Sequence, residues 1–297
     1  MPLQDRTALQ NLHRQLEDAR AGRRTLVMGI LNVTPDSFSD GGEFDTLPKA
    51  LTQAERMIAE GADILDIGGE STRPATFQGE ARLSNDEECS RVLPVIEALS
   101  KRFPHIPVSI DTYKAEVAER AVEAGAVLIN DISALRADPK MLPLVGQLKL
   151  PVCLMHLLGL PKSIPTNPVY ADVVQEVKAH LLAQAELALQ AGVLPGNILL
   201  DPGIGFGKTV QHNLALLRNL DALTETGYLI LVGTSRKSTI GKVLGGLPPE
   251  DRLEGTAATV ALAIAAGAAV VRVHDVKEMR RVVKMSDAIV RGWNGEE

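Results

Sequence analysis

Eight short apolar runs, separated by helical patterns, place the strongest limit on what this chain can fold into. The runs lie at residues 26–31, 64–67, 108–110, 127–129, 152–155, 198–200, 229–232 and 269–273. Amphipathic segments such as 48–60, 87–102, 114–124, 172–190, 213–224 and 251–266 lie between them. Apolar strands that alternate with helices are typical of a parallel sheet covered by helices. Eight such units in 297 residues predict an α/β protein with a closed (β/α)8 TIM barrel.

The segment before the first strand predicts a short helical extension. An amphipathic pattern runs from about residue 7 to residue 21, so we expect an N-terminal extension over 1–24 and a single barrel domain over 25–297. The sequence does not open with a basic-then-apolar signal pattern. Cys89 and Cys153 lie far apart and fit neither a zinc spacing nor a disulfide framework. We therefore expect a cytoplasmic protein with incidental thiols.

Charge and hydropathy argue against two classes of partner. The net charge is −6 and aromatic residues make up 3% of the chain, with no basic stripe, which argues against nucleic acid. The longest uncharged run, residues 255–271, is divided by Gly267 and is shorter than the roughly 20 apolar residues of a membrane helix. We expect small-molecule partners, with neither nucleic acid nor membrane.

Polar residues follow the predicted strands at the end where each strand stops. They are Asn32, Asp66 with Glu70, Asp111, Asn130, His156, Asp201, Thr234 with Ser235, and Arg272 with His274. In a barrel these side chains converge on the C-terminal mouth, where barrel enzymes have their active sites. A single polar strand end is usually a turn former or a helix cap, but a set that follows all eight strands predicts an active site.

The residue types at this mouth suit an anion beside a flat heterocycle. The cations are Arg73, Lys237, Arg272, Arg236 and His274. Arginine offers forked hydrogen bonds to a phosphate or diphosphate. Asp111, Asn130 and Asp201 supply acceptors and an amide that a heterocycle with several N–H groups would satisfy.

The glycine-rich stretch DPGIGFGKT at 201–209 is not a nucleotide-binding loop. Pro202 occupies the position where a P-loop requires its first glycine, and Lys208 stands where the dinucleotide pattern requires its third. We expect these glycines to let the backbone turn tightly beneath a ligand and to place Phe206 against its face.

Five separated motifs resemble those of dihydropteroate synthases. NVTPDSFSDGG at 32–42 and GGESTRP at 68–74 are similar to the two signature loops of that family. DPGIGFGKT at 201–209, GTSRKS at 233–238 and RVH at 272–274 match its later motifs in the same order. The resemblance covers the chain from Thr25 to its end. It implies a transferase of folate biosynthesis that condenses (7,8-dihydropterin-6-yl)methyl diphosphate with 4-aminobenzoate, giving 7,8-dihydropteroate and diphosphate.

The resemblance also implies roles for the matching residues. Those that would bind or line the pterin are Asp111, Asn130, Met155, Asp201, Phe206 and Lys237. For the other parts of the site, the resemblance implies Arg272 and His274 as diphosphate ligands and Asn32 as the protein ligand of Mg²⁺. It implies Thr72, Arg73 and Ser235 at the junction with the aminobenzoate. The loop after Asn32 is too long for a simple turn and would cover the mouth. A homodimer through the later helices is implied by the family alone.

The implied chemistry is a dissociative substitution without a covalent enzyme intermediate. Mg²⁺, Arg272 and His274 would stabilise the charge that grows on the leaving diphosphate. The arylamine is already nucleophilic, so it needs positioning more than it needs a base.

Other functions stay open at this point. Leu158 and Ala75 depart from the usual family pattern, which would suit a non-catalytic pterin-binding paralogue. A pterin-binding module like those of corrinoid-dependent methyltransferases would share the barrel but would not need Arg272 and His274 for a diphosphate. A Schiff-base enzyme would use Lys237, although such lysines usually lie within a strand in an apolar pocket.

Overall fold

A closed barrel of parallel strands forms the centre of the molecule. The computed structural model describes residues 6–34, 46–70, 83–161, 163–293 and 295. The strands are β1 (Leu26–Asn32), β2 (Ile64–Gly68), β3 (Val108–Asp111), β4 (Leu128–Asp131), β5 (Val152–Met155), β6 (Ile198–Asp201), β7 (Leu229–Val232) and β8 (Val270–Val273). Each strand pairs with the next in sequence, and β8 pairs with β1. The predicted (β/α)8 barrel is confirmed.

Helix α1 precedes the first strand, and the other helices follow the strands along the chain and cover the barrel. They are α1 (Thr7–Arg20), α2 (Thr46–Ala59), α3 (Asn85–Arg102), α4 (Ala115–Ala124), α5 (Met141–Leu148), α6 (Val173–Gln190), α7 (Val210–Arg218), α8 (Asp221–Thr224), α9 (Ser238–Val243), α10 (Leu253–Ala265) and α11 (Val276–Arg291). None of the helices in the described part of the chain has the length and apolar character that a membrane crossing requires.

One predicted helix is in fact two. The pattern at 213–224 predicted a single helix, but α7 ends at Arg218 and α8 begins at Asp221. Asn219 is the C-cap of α7: its backbone leaves the helical conformation at φ −115° and ψ 38°, and its side-chain amide donates to Ala215 O at 2.8 Å. A side-chain bond of this kind to a nearby carbonyl offers the backbone an alternative to further helical turns.

Helix α1 packs across the end of the barrel opposite the mouth. Leu12 and Leu16 are fully buried in the main core. Asn11 donates to His105 O at 2.7 Å, and Arg20 donates to Gly196 O at 3.0 Å. Both carbonyls precede a strand, so α1 lies at the amino ends of the strands. A helix was expected there, while the domain boundary after residue 24 stays a prediction.

Strand register brings the polar strand ends together at the mouth. Asp111 of β3 is paired with Asn130 of β4, and Met155 of β5 with Asp201 of β6. A small apolar cluster, separate from the main core, lies at the same strand ends. It consists of Tyr113, Ile132, Met155, Leu157 and Phe206. The mouth therefore has polar groups beside an apolar surface.

Candidate active site

Arg272 bridges two carboxylates on neighbouring strands. Its Nε donates to Asp66 Oδ2 and its Nη2 donates to Asp111 Oδ2, both at 2.6 Å. Asn130 Nδ2 is the second donor to Asp66 Oδ2, at 3.1 Å. Asp66 is completely buried and Asp111 nearly so. Because buried charges are costly unless paired, this arrangement fixes the three side chains.

The second oxygen of each of these carboxylates accepts no hydrogen bond from the described residues. Asp66 Oδ1 and Asp111 Oδ1 are buried and have no hydrogen-bond partner among the described residues. Burial raises the pKa of Asp111 from 3.8 to about 7, against the opposing effect of Arg272. Buried acceptors without donors are rare in proteins. Their presence at the mouth points to a ligand that carries N–H groups.

Asp201 and Lys237 form the other side of the mouth. Asp201 Oδ1 accepts a hydrogen bond from Gly203 N at 2.7 Å, and burial raises the pKa of Asp201. Lys237 Nζ lies 4.5 Å from the centroid of the Phe206 ring and donates to Ile204 O. Burial lowers the pKa of Lys237 to about 8, and the charge of Asp201 opposes this effect. Lys237 is the N-cap residue of α9, so it does not lie within a strand as Schiff-base lysines usually do.

The glycine-rich loop between β6 and α7 lies against the end of β5. Gly203 has φ +66°, and a Cβ atom there would lie 2.0 Å from His156 O. Gly207 has φ +59°, and a Cβ atom there would lie 2.8 Å from Leu158 Cβ. Leu158, which departs from the family pattern, therefore packs against this loop. Glycine is required at these turns both for its backbone conformation and for the lack of space.

Ser235 connects the ends of β7 and β8. His274 N donates to Ser235 Oγ at 3.1 Å, and His274 Nδ1 lies 3.0 Å from the same oxygen. Next to it, Arg236 forms a fork with Asp275, with Nε 2.9 Å from Oδ2. Arg236 has φ +57°, a strained conformation for a residue with a side chain. The ion pair holds this turn, which carries both Ser235 and Lys237.

Asn32 lies at the last position of β1, next to Gly68 of β2. Its Oδ1 lies 3.5 Å from the point where a Cβ atom on Gly68 would be, so the amide oxygen is at the mouth. Thr72 and Arg73, predicted at the aminobenzoate junction, lie outside the described residues. So does the part of the predicted cover loop from 35 onward. The roles predicted for all of these residues stay predictions.

Asp66 was not among the predicted ligand-binding residues, although it occupies the centre of the site. It appeared only as one of several polar residues near strand ends. Asp66 and Gly68 share a face of β2, and this alternation in an otherwise apolar strand is the signal that could have found it. Its partner Arg272 is 206 positions away in sequence.

A second buried ion cluster lies where β2 leads into its loop. Lys114 Nζ lies 2.7 Å from Glu88 and 3.0 Å from Glu70. Tyr113 donates its hydroxyl hydrogen to Glu70 Oε2 at 2.8 Å. Burial raises the pKa of Glu88, against the effect of Lys114. Only Glu70 of this cluster was noted from the sequence, because a long-range cluster leaves no local pattern.

The chain matches one protein family over most of its length. The family model described as pterin binding enzyme matches residues 28–274. Dihydropteroate synthase of Bacillus subtilis is 51% identical over 267 residues, which are 90% of this chain and 89% of that protein. Dihydropteroate synthase of Synechocystis is 50% identical over 270 residues, 91% of this chain and 92% of its own length.

Solved structures give the same result. A Clostridium difficile dihydropteroate synthase crystallised in the presence of pteroic acid is 48% identical, with a TM-score of 0.84 over 91% of this chain and 98% of that one. The Xanthomonas albilineans enzyme with 4-aminobenzoic acid is 45% identical, with a TM-score of 0.83 over 90% and 94%. The same enzyme in complex with 7,8-dihydropteroate is 43% identical, with a TM-score of 0.81 over 90% and 94%.

Proposed function

The chain belongs to the pterin-binding enzyme family, and we infer that it catalyses the dihydropteroate synthase reaction. In this reaction (7,8-dihydropterin-6-yl)methyl diphosphate condenses with 4-aminobenzoate to give 7,8-dihydropteroate and diphosphate. The methylene carbon loses its bond to a diphosphate oxygen and gains a bond to the arylamine nitrogen. The nitrogen gives up one proton, so atoms and charge balance.

One observation supports this proposal more strongly than any other. The site contains two buried carboxylate oxygens, Asp66 Oδ1 and Asp111 Oδ1, that have no donor in the described part of the chain, and they lie beside the apolar cluster that includes Met155 and Phe206. A pterin ring has N–H donors along one edge and two flat faces, so it satisfies both features. Asn130, Asp201 and Lys237 complete the proposed set of pterin ligands.

Arg272 supports the developing charge of the leaving group in this proposal. Its guanidinium has five N–H donors, and the bonds to Asp66 and Asp111 use two of them. The remaining donors can bind diphosphate oxygens while the carboxylates hold the side chain in place. His274, ordered by its bonds to Ser235, is the second proposed diphosphate ligand. Preorganised donors of this kind stabilise charge where it forms.

The donor atoms fit a Mg²⁺ ion that arrives with the substrate. Magnesium commonly takes one or two protein oxygens and fills its other positions with water and phosphate. The described residues contain no group of three His, Cys, Asp or Glu side chains that could hold a metal ion. Asn32 is the proposed protein ligand, through its amide oxygen. When bound, Mg²⁺ neutralises diphosphate charge and favours its departure.

The pterin and the aminobenzoate have different requirements. Asp111 and Asp201 favour the cationic character that the pterin methylene acquires as diphosphate leaves. The arylamine needs only to be held in line, which we assign to Ser235 together with Thr72 and Arg73. We propose no covalent enzyme intermediate, so a trapped pterin–protein adduct would contradict this mechanism.

A diphosphate-release assay tests the proposed function. The purified protein is mixed with the pterin diphosphate, 4-aminobenzoate and Mg²⁺, and each component is omitted in turn. We expect release of diphosphate that requires the aminobenzoate and the metal, with dihydropteroate formed in equal amount. Pterin binding without any release would instead identify a non-catalytic paralogue or a pterin-binding module.

We further propose a homodimer in the cytoplasm. Large apolar side chains of the neighbouring helices α10 and α11 are exposed, among them Leu262 (67%), Met285 (62%) and Ile289 (72%). Contiguous exposed apolar surface is typical of a protein–protein interface. Cys89 and Cys153 are free thiols, which is consistent with a reducing compartment.

A further inference from the structure

The amine of Lys208 is enclosed by four acceptor atoms. Lys208 Nζ lies 2.8 Å from His156 Nδ1 and 3.2 Å from His156 O. It also donates to Gly203 O at 3.0 Å and to Phe206 O at 3.1 Å. Lys208 is the last residue of the glycine-rich loop before Thr209, the N-cap of α7. Its side chain therefore links two backbone carbonyls of the loop to each other and to the residue that follows β5.

His156 is an acceptor in this arrangement. Burial lowers the pKa of His156 to about 2, with a further contribution from the positive charge of Lys208. A neutral imidazole has one acceptor nitrogen, and contact with the Lys208 amine assigns that role to Nδ1. Burial lowers the pKa of Lys208 well below its usual value, and the charge of Asp201 opposes this effect. His180 packs edge-on against the same ring, with the ring centroids 4.9 Å apart, and holds its orientation.

The two loop carbonyls that Lys208 binds belong to the backbone that carries the pterin-facing groups. Gly203 donates its own N–H to Asp201 Oδ1 at 2.7 Å, so fixing Gly203 fixes that carboxylate. The ring of Phe206 is the one that the amine of Lys237 contacts. The loop also contains glycines with positive φ at 203, 205 and 207, which gives its backbone little stiffness of its own.

Lys208 does not resemble a lysine that binds phosphate. Three of its four partners are carbonyl oxygens and the fourth is an imidazole nitrogen. These atoms present negative partial charge on several sides of the ammonium and would repel a phosphate oxygen. The donors of the amine are used within the protein.

We propose that Lys208 is a positioning residue for the pterin ring. Its amine holds the glycine-rich loop against His156, so that Asp201 and Phe206 face the bound pterin. Lys208 itself does not touch the substrate in this proposal. The inference rests on the proposed function, because it takes the ligand of this mouth to be a pterin.

The test compares Lys208→Ala with Lys140→Ala, a change at an exposed lysine before α5. For Lys208→Ala we expect the KM for the pterin diphosphate to rise about ten- to hundredfold, the size expected when hydrogen bonds to a charged group are lost. The KM for 4-aminobenzoate should stay within about twofold of wild type, because the loop does not form that part of the site. Lys140→Ala should behave as wild type.

Chemical rescue distinguishes positioning from a general loss of structure. Propylammonium supplies the three carbons and the amine that Lys208→Ala removes, and it should restore pterin affinity in a saturable way. Tetramethylammonium, which has no N–H donor, should not. A Lys208→Ala enzyme with an unchanged KM for the pterin would overturn the proposal. So would an enzyme with a lower kcat, a higher KM for both substrates and no rescue.

Two further experiments test the proposal if Lys208→Ala does not fold or if the proposed function is wrong. If Lys208→Ala does not fold, Lys208→Met keeps the apolar stem without the cation, and the same rise in KM is expected. If wild-type protein releases no diphosphate, the proposed function fails. The dissociation constant of a bare pterin, measured by fluorescence titration, then tests whether Lys208 positions the pterin site. Equal affinity of wild type and Lys208→Met for the bare pterin would overturn the role of Lys208.

Discussion

At the residue scale, Lys237 combines a partly buried position with a charge that the site needs. Its amine lies over the Phe206 ring and near Asp201, where it can donate to an acceptor on the pterin. Burial disfavours the ammonium form and lowers the pKa of Lys237 to about 8. The residue is therefore a charged donor below that pH and a neutral amine above it.

We expect kcat/KM for the pterin diphosphate to fall as the pH rises through about 8, because Lys237 then loses its proton. The measurement is a profile of kcat/KM from pH 6 to pH 10. The variant Lys237→Met should have a low kcat/KM without this alkaline decline. If the decline persists in Lys237→Met, another group, such as Lys208, is responsible for it.

Asn32 provides a residue-scale test of the metal. We expect Asn32→Ala to lose most Mg²⁺-dependent turnover and to keep much of its affinity for a bare pterin, because the amide oxygen is proposed to bind only the metal on the diphosphate. Turnover is measured as a function of Mg²⁺ concentration, and pterin binding by titration. Wild-type turnover at every Mg²⁺ concentration would remove Asn32 from the metal site.

Asp66 provides a residue-scale test of stability. Asp66→Ala leaves Arg272 without one of its two buried partners, and we expect the free energy of unfolding to fall by about 3 kcal/mol. The matched control is Asp18→Ala, which removes a surface ion pair whose Arg23 side chain is 60% exposed and should cost less than about 1 kcal/mol. Urea unfolding measures both, and equal losses would contradict a structural role for Asp66.

At the scale of elements, the turn after β6 determines where Asp201 and Phe206 point. We expect Gly203→Ala to lower kcat/KM for the pterin diphosphate more than about tenfold, since a 1 Å displacement at a site can cost a hundredfold. A Cβ atom at Gly203 would lie 2.0 Å from a backbone oxygen, so the loop must move away from β5.

Gly227 is the matched control for this change. It also has positive φ, +82°, but a Cβ atom there would meet no atom within 4 Å. Gly227→Ala should cost about 1–2 kcal/mol of stability from backbone strain alone and leave turnover unchanged. Thermal unfolding and steady-state kinetics of both variants provide the comparison. Full activity in Gly203→Ala would show that the position of the loop does not matter.

At the scale of the whole molecule, the exposed apolar side chains of α10 and α11 are the feature that the barrel does not explain. We expect the double variant Leu262→Glu, Ile289→Glu to be a monomer while the wild type has twice the mass of one chain, because charged residues are depleted from interface cores. Light scattering after size-exclusion chromatography measures the mass.

The control for the dimer places the same charge elsewhere on the surface. Val169 is 82% exposed in the segment between β5 and α6, so Val169→Glu should leave the mass unchanged. A wild-type protein with the mass of one chain would contradict the proposed homodimer. A double variant that keeps twice that mass would place the interface on another face.

Much of the architecture was determined by local sequence. The eight strands were predicted to within a few residues, because short apolar β-branched runs between amphipathic segments have few other structures available. The polar strand ends were predicted to share one mouth because parallel strands in a barrel end on the same side. The break between α7 and α8 was missed, since the side-chain bond of Asn219 to Ala215 competes with an apolar pattern that runs through the break.

Which polar groups satisfy one another was decided only by the tertiary structure. Arg272 meets Asp66 because β8 closes onto β1, and the ammonium of Lys208 meets His156 because the glycine-rich loop returns to β5. The two buried oxygens on Asp66 and Asp111 that no described residue donates to follow from that pairing and have no signal in the sequence. The sequence by itself determined that a polar mouth exists and which residue types line it. Only closure of the barrel decided which of those residues hold one another in place and which are left to bind a ligand, because hydrogen bonding depends on distances between segments far apart in the chain.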